Sequence, residues 1–354
     1  MPRSSGGTAA GAAPEPRRGP SALSLWANML VIYVVWGSTY FGIAIAIESP
    51  GLPPFMMAAI RFTIAGILLL AIDLIRNREA RHLPTRRQVI DSAIVGALLL
   101  GIGNGFVVFG QKTVPSGVAA ILIAMMPLWF ALLGWIYLRE RLPRIVVLAI
   151  AIGFAGTAVL IWPSGDGANS FDPLGILILL IAPLGWAHGS IYSMRRAKLP
   201  PSPWTASGLQ MLAGGAVTGL WALLTGEPGS FDPAAISTAS VIAVVYLIFI
   251  GSMLAYTSYA WLLRNAPLPL ISTYAYVNPV VAVALGTVFL QEQISLRTIV
   301  ASVVILAAVA IIVTARGRLA SATPSDADAE PPVDRAPRST GSVSPASPPR
   351  APSG

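Results

Sequence analysis

The sequence predicts an all-α integral membrane protein: ten transmembrane helices in two five-helix repeats of inverted topology. Three observations carry that prediction. Hydrophobic residues fill 55% of the 354 positions and charged residues only 11%, where a soluble domain has about 25% charged. Apolar runs of membrane-spanning length recur between two polar tails. Finally, Val277 to Ile294 (VNPVVAVALGTVFLQEQI) echoes Met125 to Leu142 (MMPLWFALLGWIYLRERL) at a shift of 152 positions.

Taken in order, residues 1–22 are rich in Gly, Ala, Pro, Ser and Arg and read as a disordered tail. The first apolar run, Trp26–Ile47, follows directly. It lacks an obvious small-residue cleavage site and reads as a retained helix rather than a signal peptide. Further runs lie at Phe55–Ile75, Val89–Phe109, Gly117–Tyr137 and Arg144–Trp162, closing a first repeat over residues 23–163. The second repeat, residues 171–316, holds Pro173–Ser193, Trp204–Thr225, Ile236–Leu262, Leu270–Leu290 and Leu296–Ala315. Each run can span ~30 Å of hydrocarbon at ~1.5 Å per residue. Phe171-Asp172-Pro173 and Phe231-Asp232-Pro233 read as helix starts, with Asp as N-cap and Pro at the first helical position. A calcium site on Asp166 and Asp172 is the rival reading there. Residues 317–354 form a second Pro/Ser/Ala tail.

The net charge of +8 comes from 21 arginines and two lysines. In a soluble protein that excess would suggest nucleic acid; here the basic residues fall in short loops, so no nucleic-acid partner is expected. With the N-terminus inside, twenty of them lie on the cytoplasmic side, only Lys112 and Arg297 lie outside, and Arg61 lies within a helix. Both termini are therefore expected in the cytoplasm. The absence of cysteine excludes disulfides, thiolate metal sites and cysteine nucleophiles. No Walker A, HExxH or GxSxG sequence is present, so neither an enzyme, a cofactor nor a metal is expected.

The internal echo aligns Pro127 with Pro279, Gly134 with Gly286 and Glu140 with Glu292. A shift of 150 sets Trp36 against Trp186, and one of 149 sets Arg61 against Gln210. Five helices is an odd number, so the second repeat must enter the membrane upside down relative to the first. Inverted repeats are a transporter architecture that places substrate near the midplane between the halves.

Several segments carry a family resemblance. They are Trp36-Gly37-Ser38-Thr39-Tyr40-Phe41, Arg61-Phe62, Gly103-Asn104-Gly105, Val114-Pro115-Ser116-Gly117 and Ser272-Thr273-Tyr274-Ala275-Tyr276-Val277-Asn278-Pro279. With the ten helices and the paired Pro…Gly…Glu segments, they resemble the EamA-type transporters of the drug/metabolite transporter superfamily, over residues 25–316. The resemblance implies a bacterial inner-membrane permease exporting amino acids, other metabolites or toxic compounds. It also implies a central cavity lined by the first, third, fourth, sixth, eighth and ninth helices, with the fifth and tenth peripheral.

The residues themselves offer candidates, each with a plainer alternative. Trp36 and Tyr40 are i, i+4, as are Tyr274 and Asn278; Asn104 and Gln111 share a face seven apart; Tyr256 and Tyr259 follow one stripe; and Trp186 mirrors Trp36. Aromatic walls with a few polar groups suit a small-molecule substrate; ordinary packing is the alternative. Arg61 can bind a carboxylate, take part in ion coupling or bond helix-end carbonyls, and His188 can relay protons or pack against Gly185 and Gly189. Pro127 and Pro279 free the carbonyls of Ile123 and Ala275, giving kinks that either shape the cavity or simply pack. Glu140 and Glu292 sit at helix ends, where each carboxylate can cap the following helix or take a coupling proton. The glycine pairs Gly101/Gly105, Gly185/Gly189 and Gly215/Gly219 are expected at tight helix contacts. The expectation is thus a secondary transporter working by alternating access, with a small-molecule substrate, the lipid bilayer and room for a homodimer as its partners. A lipid-handling membrane enzyme and a non-transporting sensor or scaffold are the alternatives.

Overall fold

The structure is a computed structural model that describes residues 21–76, 83–139, 142–161 and 171–322. Glu140, Asp166, Trp162 and most of both predicted tails lie outside these residues.

Among the described residues the chain is helical, with no β-strand. The helices are α1 Ala22–Glu48, α2 Pro54–Arg76, α3 Arg86–Gly110, α4 Ser116–Tyr137, α5 Arg144–Ile161, α6 Pro173–Arg195, α7 Pro203–Leu224, α8 Thr238–Asn265, α9 Leu268–Phe289 and α10 Leu296–Ala322. All but α5 are long and apolar enough to cross a membrane; the apolar part of α5, Arg144–Leu160, is shorter. Large apolar side chains such as Leu30, Ile67, Leu177 and Val303 point outward, as hydrocarbon requires.

Local chemistry sets the helix starts. Thr85 opens α3 with a reciprocal capping box to Gln88. Asp172 caps α6 as expected, accepting from the backbone N–H of Leu174 (3.3 Å) and Gly175 (3.1 Å). The Thr113 hydroxyl also donates to it and holds its carboxyl below the usual range, so its oxygens serve the cap. Asp232 differs from expectation. It caps only the short 3₁₀ turn Pro233–Ala235, and α8 begins later, behind the Ser237 cap. At the other end α10 runs to Ala322, past residue 316, where the sequence places the end of the second repeat.

Two helices contain an unusual stretch. α3 is π-helical over Ala97–Asn104 and α8 over Leu247–Leu254. The two stretches are 150 positions apart, the same shift that aligns Trp36 with Trp186. A π-turn holds an extra residue, so the face of the helix rotates beyond it. α4 and α9 are interrupted instead, at Ala124–Met125 and Ser272–Thr273. The first break adjoins Pro127, whereas Pro279 sits inside the unbroken segment Tyr274–Phe289, so the two prolines are not structurally equivalent.

Carboxylates tie the helix ends together. Glu227, just beyond α7, accepts from the N–H groups of Phe55 (3.1 Å) and Met56 (2.7 Å) at the start of α2. Burial raises its carboxyl above the ordinary range, outweighing those bonds. Asp73, near the end of α2, accepts from Thr205 Oγ1 (2.6 Å) and from the hydroxyl of Ser202 at the start of α7. The two helices therefore run antiparallel with a clamp at each end. Asp91 takes the Arg87 guanidinium (2.8 Å), the Tyr192 hydroxyl (2.7 Å) and the Lys198 N–H (2.8 Å), joining α3 to the end of α6.

The paired Pro…Gly…Glu segments have a shared geometry. Arg139 (φ 52°) and Gln291 (φ 54°), 152 positions apart, are the only non-glycine residues with positive φ among those described. Such a left-handed residue is unfavourable for an L-side chain. At Gln291 it turns Glu292 back against the bundle. Glu292 then accepts from Ser116 N (2.8 Å), Ser116 Oγ (2.7 Å) and Gly117 N (3.1 Å). The expected cap exists, but on α4 rather than on the following helix α10. Gly286 is what makes room for it: a Cβ there would stand 2.6 Å from Glu292 Oε2.

Candidate functional site

Near the middle of α1, Trp36 and Tyr40 point inward and are almost fully buried. Trp36 packs edge-on against Trp186 of α6 (5.2 Å between ring centroids) and Tyr274 of α9 (5.3 Å), and tilted on Tyr259 of α8 (4.9 Å). Hydrogen bonds fix this cluster. Trp186 Nε1 donates to the Tyr259 hydroxyl (3.0 Å), which also bonds Ser190 Oγ (2.8 Å). Each buried polar atom in that chain has a partner, which holds the rings in place.

The aromatic cluster walls a cavity with an empty volume of about 490 Å³. Of the nine sequence-predicted cavity residues, Trp36, Tyr40, Asn104, Trp186, Tyr274 and Asn278 line it. They reach it from α1, α3, α6 and α9, and α4 adds Ile123 and Met126. None of the lining residues is an Asp, Glu, Lys, Arg or His. Asn278 stitches α9 to α1: with its amide turned so that Nδ2 faces α1, it donates to the carbonyl of Tyr33 (2.9 Å) and approaches those of Ile32 and Tyr274 (3.3 Å each). Asn104 ends the π-helical stretch of α3, and its buried Oδ1 has no hydrogen-bond partner among the described residues. A cavity with aromatic walls and a few uncharged polar groups binds by shape, stacking and directed hydrogen bonds.

Three predicted cavity residues lie elsewhere. Gln111 stands at the C-cap of α3, buried, with neither amide atom partnered among the described residues. Tyr256 donates to Gln210 Oε1 of α7 (2.7 Å). Tyr259 stands behind Trp36 as the second layer of wall. So α8, expected to line the cavity, supports it instead. Trp36 of α1 and Trp186 of α6 pack against Tyr259, and these two rings rather than α8 face the cavity.

The remaining candidates are also outside the lining. His188 accepts from or donates to the Tyr137 hydroxyl (2.9 Å) through Nε2, and its Nδ1 bonds the Leu184 carbonyl (2.9 Å). Both ring nitrogens are engaged, with an exposed tyrosine. Pro127 borders a second, smaller and mainly apolar cavity with Leu268 and Ile312. Arg61 is buried, donating from Nε to Ser252 Oγ (2.7 Å). Thr39 and Pro183 line the main cavity without having been singled out. Pro183 lies inside α6, and its position in an apolar run is a visible signal of a freed carbonyl.

Known proteins bear on this arrangement. A family profile described as the EamA-like transporter family matches residues 24–162 and again residues 173–314. The "Uncharacterized inner membrane transporter YedA" of Escherichia coli K12 is 39% identical over 275 residues, covering 77% of this chain and 85% of that protein. "Protein PecM" of Dickeya dadantii is 28% identical over 283 residues, 78% of this chain and 88% of that one. A crystal structure of another protein, 24% identical, superposes with a TM-score of 0.59 over 84% of this chain and 99% of its own, a likeness of fold. The chain belongs to the EamA-like transporter family and is a multi-pass membrane transporter rather than an enzyme.

Proposed function

We propose that this transporter sits in a bacterial inner membrane and exports amino acids, metabolites or toxic small organic solutes by alternating access. Its ten helices form two inverted five-helix repeats, with both termini in the cytoplasm. The observation that carries the reading is the cavity: uncharged, aromatic-walled, and built from side chains of both halves of the chain near the middle of α1, α6 and α9. Trp36, Tyr40, Asn104, Trp186, Tyr274 and Asn278 hold the solute. The double match of the family profile supports the repeats. So do the π-helical stretches and the positive-φ residues at equivalent positions. Inner-membrane placement draws on the description of the Escherichia coli relative, and orientation on the arginine count.

In this reading His188 and Glu292 are structural, since each has its hydrogen-bonding capacity engaged within the protein. A strain overexpressing the chain, grown across amino acids and toxic analogues, identifies the solute as the one to which it gains resistance. In liposomes, Asn104→Ala then lowers transport of that solute roughly tenfold, the worth of one lost hydrogen bond of ~1.4 kcal/mol, and Trp36→Ala lowers it at least as much. Unchanged kinetics in both variants would sink the assignment.

A further inference from the structure

Arg61 is 2% exposed, deep in α2. Its Nε bonds Ser252 Oγ (2.7 Å), its guanidinium carbon lies 5.0 Å from the centre of the Phe62 ring, and its buried Nη1 has no hydrogen-bond partner among the described residues. Among the described residues no carboxylate forms an ion pair with it; the sole pair is Arg87–Asp91. A charged group inside a membrane bundle is costly, faces a cavity or a partner, and marks function by default. One serine hydroxyl does not balance a guanidinium.

Its position gives the charge a use. α1 ends at Glu48 and α2 begins at Pro54 after a short turn, so both ends share one membrane face. At ~1.5 Å per residue, Thr39 lies about 14 Å and Arg61 about 10 Å below that face. Between them stands Gly251 of the π-helical stretch. A Cβ on Gly251 would be 2.9 Å from Thr39 Cγ2 and 3.3 Å from Arg61 Nη2. Thr39 lines the central cavity. The Thr39 side chain, held by its bond to the Trp36 carbonyl (2.7 Å), thus stands on the cavity side of Gly251, and the guanidinium on its other side. The cavity lining itself offers an anion no cation.

We propose that Arg61 is a concealed carboxylate subsite, taking the anionic end of a solute whose apolar body lies against the aromatic walls once Thr39 rotates aside. This rests on the reading of the cavity as the substrate site and narrows the substrate to organic carboxylates. A purely structural Arg61, pinning α2 to α8, would give no discrimination by ligand charge.

Binding of tritiated benzoate and of its neutral isostere benzamide to the full chain in detergent micelles at pH 7 separates the two. The wild type should hold benzoate at least about tenfold more tightly than benzamide, as a charge-assisted contact requires. Arg61→Gln should bring benzoate down to the benzamide level and leave benzamide unchanged. Gly251→Ala keeps the guanidinium but puts a methyl group in the path, and should lower benzoate selectively; it carries the test should Arg61→Gln fail to fold. No saturable benzoate binding, no preference in the wild type, or a preference that survives both variants overturns the subsite. Asn104→Ala should weaken both ligands. If it weakens neither while the Arg61 variant still abolishes the preference, the subsite stands and the cavity assignment falls.

Discussion

Replacing Glu292 by glutamine tests the frame in which the cavity sits. In the native protein one carboxylate oxygen accepts from Ser116 N and Oγ and the other from Gly117 N, at the N-terminus of α4. Glutamine keeps one acceptor and turns an NH2 toward the Gly117 N–H. Two bonds fall from charge-assisted to neutral strength, the third is replaced by two opposed donors, and the favourable charge at the helix N-terminus is lost. A charge-assisted bond is worth about 1.5–3 kcal/mol against about 1 for a neutral one, and the helix-end charge adds roughly 0.3–1. Glu292 is half-buried, which puts the sum toward its lower end, about 2–4 kcal/mol. By the scaling for large domains that is roughly 5–10 °C in the thermal midpoint, followed in detergent by intrinsic fluorescence. Gly286→Ala should cost a similar amount by a different route, because its Cβ would stand 2.6 Å from Glu292 Oε2 and 2.9 Å from Cδ. The double variant should then lose little more than either single one, since the same contacts are removed once. A Glu292→Gln midpoint within about 1 °C of the wild type, or fully additive losses in the pair, would refute the clamp.

Other perturbations follow from the same contacts. A Cβ on Gly96 would stand 2.0 Å from the Gln210 carbonyl oxygen; backbone cannot yield there, so Gly96→Ala should cost about 3 kcal/mol or more and show as lost monodisperse yield on gel filtration. Glu227 binds its proton more tightly folded than unfolded. Its contribution is therefore most favourable below its ordinary pKa of 4.5 and is lost as pH rises through the raised folded value, a decline that Glu227→Gln should flatten in a pH series of thermal midpoints. Asp172 has the opposite sign: its depressed pKa contributes stability above 3.8 that is lost as pH falls through the folded value, and Asp172→Asn should remove that acid limb.

What the sequence made legible was whatever local chemistry or internal repetition writes into it. Asp172 before Pro173 is a helix cap on sight, and Trp36 and Trp186 pointed to the cavity because each recurs at the shift of the other. The glutamate of the paired segments was readable as a cap, but not its partner. Glu292 and Ser116 are 176 positions apart, and contacts at that range leave no periodic trace. The glycine six residues before it looked like a packing residue, and only the geometry shows that it houses the carboxylate. The π-helical stretches of α3 and α8 were hidden for a different reason: both lie in apolar runs where an extra residue per turn changes no hydrophobic pattern. Tyr256 and Tyr259 share one stripe as expected, but their stripe meets Gln210 of α7 and the rings of Trp36 and Trp186 rather than the cavity, contacts at a range that no local pattern records.

The central claim is that one cavity, walled by Trp36, Trp186 and Tyr274, is reached from both sides of the membrane in turn. The chain contains no cysteine, so Asn104→Cys supplies a single thiol on the cavity wall, and Leu177→Cys supplies a control on the exposed apolar surface. Each variant in liposomes is treated with a membrane-impermeant maleimide added outside only, or sealed inside only. The account predicts that Asn104→Cys is labelled from either side and Leu177→Cys from neither. An Asn104→Cys thiol that reacts from one side alone, or only after denaturation, would contradict it.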